Sequence, residues 1–455
     1  MSEGSAGRER RWSRWVLWSA GVVGVSALVV LGALFWNTFI ADPPARDEML
    51  EVRELLPAED PEERRELEDM GFELLRAQRE RAEPLWRAMD AAGIKRGGWS
   101  WSWAEAERWA EGPDAEELAR LLGEAVDAYH ASGDWRALEA VGAVESLPIY
   151  GAGGADDWLR PGWRMGYRWA HVAELEGARA GRLFERGMTD EAVRALASAL
   201  AITAAVERGA VDSGILASIR RRGDWSALQV WRDAARSESV ELPTARRVVD
   251  LFAERARSRA DLVRVSRVEG LAALAVLRRG RYDNDRYPGE QRPLIRAGRG
   301  ADYAALRSMI ERLGPPEDRT ARRFWVDRIA ERRGEPDRLP GRFTYRARIR
   351  GHMLAEDLMI AAWRAVQLET LPIVAALEGY RLEHGEYPAS LDALVPGWLG
   401  ELPADPLAGD GSAFSYRRLD DPAEREEWGG PYVLWAEGDG VAGPSRSADV
   451  VVEPP

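Results

Sequence analysis

From Trp15 to Ile40 the chain runs for 26 residues without a charge, rich in Val, Leu, Ala and Gly. A helix needs about 20 such residues to cross the hydrocarbon core of a bilayer, so this stretch predicts one transmembrane helix with some tilt. Trp12, Trp15 and Trp18 lie at one end and Trp36 and Phe39 at the other, where interfacial anchors belong. Arg8, Arg10, Arg11 and Arg14 precede the span, and Ala41-Asp42-Pro43-Pro44 follows it. The positive-inside rule then leaves residues 1–14 as a cytoplasmic tail and puts everything after residue 40 outside, on a single-pass protein of the cytoplasmic membrane. A cleaved signal peptide is the competing reading. Its apolar core seldom exceeds about 15 residues and ends in an Ala-x-Ala site, and neither condition is met here.

Beyond the span, composition describes a folded chain. Of 455 residues, 45% are apolar and 31% charged, which separates the chain from disordered sequences and leaves room for more than one core. The net charge of −13 disfavours a nucleic-acid partner. Lys95 is the only lysine, so phosphate-binding loops that need Gly-Lys-Ser/Thr are excluded. With no cysteine, disulfides, thiolate nucleophiles and cysteine metal sites are excluded too.

Residues 41–365 are expected to form an extracytoplasmic helical region, dominated from about residue 47 by Ala, Leu, Arg and Glu at helical spacing. Val193, Leu196, Leu200 and Ile202 mark one apolar face. Ser102-Trp103-Ala104-Glu105 matches a capping box. The phrase Asp-aromatic-x-Ala-Leu recurs at Asp134-Trp135, Asp224-Trp225 and Asp302-Tyr303, close behind Gly133, Gly223 and Gly300. It reads as a helix ending on glycine, an aspartate N-cap and an aromatic in the next first turn. Gly187-Met188-Thr189-Asp190 reads as a further turn of this kind. Stacked helical hairpins of the tetratricopeptide kind give such a pattern, and so does a well-capped bundle.

Catalytic signatures are missing from the sequence. His130, His171, His352 and His384 are far apart, and there is no His-Glu-x-x-His or Gly-x-Ser-x-Gly. Asp283-Asn284-Asp285 opens like an EF-hand loop but has Pro288 where the turn needs glycine. Trp99, Trp101 and Trp103 read as packed core residues before they read as a glycan platform. The arginines from Arg319 to Arg350 alternate with acids and aromatics, as on a solvated helix face.

Residues 366–455 predict a small α+β domain. Ile373 to His384 reads as a helix with Pro372 in its first turn and Gly385 just past its end. Ser390 caps a short helix that stops before Pro396, and Phe414–Arg418, Tyr432–Ala436 and Asp449–Val452 are β-type runs between turn-rich loops. In order, Gly385-Glu386-Tyr387-Pro388, Leu402-Pro403-Ala404-Asp405-Pro406, Glu437-Gly438-Asp439-Gly440 and Asp449-Val450 resemble the turns of the major pseudopilin of type II secretion. The chain is also similar to membrane-anchored bacterial proteins in which such a segment follows a long helical region. The pseudopilin resemblance implies a calcium site near Asp439 and Asp449. It does not extend to the N-terminus, which lacks the Gly-Phe-Thr-Leu-x-Glu of a processed pilin. The expected function is an envelope scaffold or protein-interaction component, possessing no assigned catalytic residue and linked to a secretion or pilus-type system. An envelope enzyme using carboxylates on glycan or peptide, and a divergent pseudopilin, are the alternatives.

Overall fold

The structure is a computed structural model that describes residues 61–91, 115–141, 163–209, 223–258 without 238–239, short pieces of 264–274 and 306–311, and 345–436 without 409, 410 and 429. The expected span Trp15–Ile40, the Trp99/Trp101/Trp103 run, the capping box at Ser102 and the third Asp-aromatic phrase lie outside these residues. Among the described residues, no helix is long and apolar enough to cross a membrane.

The described residues are mainly helical, with one small antiparallel two-stranded sheet. Helices α1 (Pro61–Arg81), α2 (Glu83–Ala91) and α3 (Ala115–Ser132) come first, then a 3₁₀ turn (Asp134–Ala137) and α4 (Leu138–Val141). Next are α5 (Trp163–Glu185), α6 (Thr189–Gly209), α7 (Trp225–Arg236), α8 (Leu242–Arg257) and the long α9 (Tyr345–His384). A 3₁₀ turn (Leu391–Leu394), β1 (Ser415–Arg418), α10 (Pro422–Trp428) and β2 (Tyr432–Trp435) complete the order.

The hairpin of α5 and α6 is the centre of the described helices. Its turn is built on Gly187, whose φ of 70° is open to glycine at little cost. Gly187 N–H reaches Phe184 O (3.0 Å) and Met188 N–H reaches Leu183 O (2.9 Å), which satisfies the last carbonyls of α5 in a Schellman arrangement. The expected face of α6 is buried, with Val193, Leu196, Leu200 and Ile202 all inside. Helix α7 lies against α5 and α8 against α6, so this second pair covers the first, and α9 lies over both α7 and α8. On the other side, α1 and α3 pack on α5, and α2 on α3.

The Asp-aromatic phrase keeps its glycine and loses its cap. Gly133 itself takes the cap position, with φ 73°, which puts Asp134 one residue inside, and Asp224 sits at the cap of α7 without a side-chain cap hydrogen bond. Asp134 pairs instead with Arg81, and Asp224 with Arg255 and Arg364. A carboxylate facing a guanidinium makes a charge-assisted bond roughly twice as strong as a neutral one, and that preference outweighs capping here. Gly223 has its own reason, because a Cβ there would come within 2.9 Å of Thr203 Cγ2 on α6.

At the C-terminal end, Gly385 ends α9 as expected, with φ 79° and its N–H on Arg381 O at 2.8 Å. The start of that helix is not where Pro372 suggested. It begins at Tyr345, and Pro372 is internal. Leu368, Leu371, Ile373 and Val374 are buried on either side of the proline, and this packing carries the helix past it. The 3₁₀ turn at Leu391 replaces the short helix expected after Ser390. Strands β1 and β2 pair in register, Ser415 opposite Trp435 and Arg418 opposite Tyr432. Asp449–Val452 lies outside the described residues.

Candidate functional site

The most elaborate polar site among the described residues lies where the C-terminal module meets α7 and α9. Its centre is Glu378, fully buried one turn and a half before the end of α9. Tyr387, from the Gly-x-Tyr-Pro turn, donates its hydroxyl to Glu378 Oε2 at 2.9 Å. Arg381, three residues along the same helix, donates Nε to Oε2 at 3.3 Å, and Arg232 of α7 donates Nε to Oε1 at 3.3 Å. Arg236 adds a third guanidinium 3.6 Å from Oε1. Asp233, between the two α7 arginines in sequence, adds a second carboxylate at the exposed edge. Burying a carboxylate costs several kcal/mol unless it is compensated, and three cations with a phenol supply that compensation.

Aromatic packing completes the site. Tyr387 and Tyr416 each lie against Tyr432, with ring centroids 5.1 and 5.9 Å apart. Trp398 packs against Gly379, the residue after Glu378, where a Cβ would stand 2.7 Å from the indole Cη2. Its indole N–H reaches Glu383 Oε2 at 3.1 Å, and Arg246 of α8 covers the ring at 5.5 Å. Burial holds the Tyr387 phenol up to about 12, and the Glu378 carboxylate beside it adds to the shift.

Replacing Tyr387 by phenylalanine removes one bond to a buried charge and is expected to cost about 1.5–3 kcal/mol in a denaturant melt. The pH consequence has a definite sign. A phenol whose folded pKa lies above its unfolded value near 10 stabilises the fold fully below pH 10, and that contribution disappears as pH rises to about 12. Stability measured by melting is therefore expected to fall from pH 10 upward, and to fall less steeply in Tyr387→Phe.

A second joint repeats the chemistry. Glu176 on α5 is buried, accepts Tyr129 Oη at 2.8 Å, and takes Arg179 Nε and Nη2 at 3.0 and 2.7 Å. Both joints carry Leu-Glu-Gly-x-Arg, at Leu175–Arg179 and at Leu377–Arg381. In each, the glycine lets a neighbour approach: Ser226 of α7 at Gly177, Trp398 at Gly379. Burial raises the Glu176 carboxyl despite Arg179 and Tyr129, and it raises Tyr129 as well.

A third cluster ties four helices together. Glu207 of α6 and Asp224, just before α7, face Arg255 of α8 and Arg364 of α9, all four almost wholly buried. Glu207 Oε2 takes Arg255 Nη2 at 2.7 Å and Arg364 Nη2 at 2.6 Å, and Asp224 Oδ1 takes Arg255 Nε at 2.8 Å. Two carboxylates against two guanidiniums leave no net charge in the core.

Of the residues singled out in sequence, Tyr387 and Asp405 have visible roles, and Asp134 and Asp224 serve as ion-pair partners rather than caps. Asp405 is buried and holds its own turn, accepting Leu407 N–H at 2.8 Å while its N–H reaches Ser412 O at 2.9 Å. Asp439 and Asp449, the implied calcium ligands, lie outside the described residues. Among the described residues, no group of three or more His, Asp and Glu side chains is placed to hold a metal ion. Glu378, Glu207 and their arginines were not singled out. The recurring Leu-Glu-Gly-x-Arg was the available signal for the two joints, and of the four-helix cluster only Asp224 was marked, as a cap, since its members are scattered from 207 to 364. Comparison with protein-family models, curated proteins and solved structures gave no match.

Proposed function

We propose that this chain is a single-pass, membrane-anchored scaffold of the bacterial envelope, with its helical region and pseudopilin-like module on the extracytoplasmic side. The observation that carries the reading is the Glu378 joint, which fastens the module to α7 and α9 with cations, a phenol and a tryptophan. Trp231 reinforces it by donating its indole N–H to Ala375 O across α7 and α9 at 3.2 Å. Such a joint holds the module in one orientation on the helices, as a protein that positions partners requires. Buried carboxylates at the three clusters are engaged by arginines rather than turned toward a substrate. Broad helical faces then serve as the surface for protein partners. The Gly-x-Tyr-Pro and Asp-Pro turns support a link to a secretion or pilus-type system, and a calcium site at Asp439 and Asp449 belongs to the same resemblance.

The test is topology in cells. The full chain is expected in the carbonate-resistant membrane fraction, degraded by protease added to spheroplasts but protected in intact cells. Deleting residues 1–40 is expected to release it from the membrane. Recovery of the full chain in the soluble fraction would sink the proposal.

A further inference from the structure

We draw no further inference here: the strongest candidate, the side-chain cluster of Arg232, Arg236 and Arg381 between α7 and α9, belongs to the joint already described, and nothing in the structure shows what would meet the buried Arg232 Nη2.

Discussion

Glu207→Gln is expected to cost about 3–5 kcal/mol, the usual consequence of stripping one partner from a buried ion cluster. Asp224 would then face Arg255 and Arg364 alone, leaving one guanidinium uncompensated among four helices. Burial works against the charge on Arg255, and Asp224 and Glu207 outweigh it. The midpoint of thermal unfolding should drop by roughly 10 °C, given 2–4 °C per kcal/mol for a domain of this size. Adding Arg364→Met should restore part of the loss, since one carboxylate then faces one guanidinium. A double variant as unstable as the sum of the two singles would show that charge balance is not what the cluster provides.

Gly379→Ala is also expected to destabilise, and its sign runs against helix propensity. In an exposed helix the change would stabilise by up to about 1 kcal/mol. Here the new Cβ would lie 2.7 to 2.8 Å from ring atoms of Trp398, and overpacking of this kind costs about 1–3 kcal/mol. The steric term wins. Unfolding in urea should shift to lower concentration, and Trp398→Leu in the same chain should recover stability by clearing the space. Were Gly379→Ala neutral, the indole would not lie on this helix face.

Local signals in the sequence were read correctly where the cause was local. Gly133, Gly187 and Gly385 end helices because a left-handed residue is needed there, and that requirement is visible in the residue itself. The two strands were legible for the same reason, from short β-type runs between turn residues. Helix α10 between them was not, because Pro422-Ala423-Glu424-Arg425 lies in a polar stretch without an apolar face, and none of its residues is buried. Pro372 misled because proline suits a first turn, whereas the buried residues flanking it decide the outcome. The ion clusters were illegible for a different reason. Arg364 meets Glu207 across 157 residues and Asp224 across 140, and among 62 arginines nothing local marks the one that will be buried. Asp134 and Asp224 show the same limit in miniature, since an aspartate after a glycine looks like a cap until a distant arginine claims it.

Helix α9 has a consequence for how this protein could be taken apart or recombined. At 40 residues it is about 60 Å long, and its N-terminal portion lies on the far side of residue 365, where composition first suggested a seam. A cut there would sever a continuous helix and bare Val366, Leu368 and Leu371 to water. The C-terminal module is thus not a cassette that can be exchanged between proteins by joining loops. Any graft that is to keep its orientation must carry the whole helix from Tyr345 and a receiving surface matched to Glu378, so inheritance of this end and of the helices beneath it is coupled.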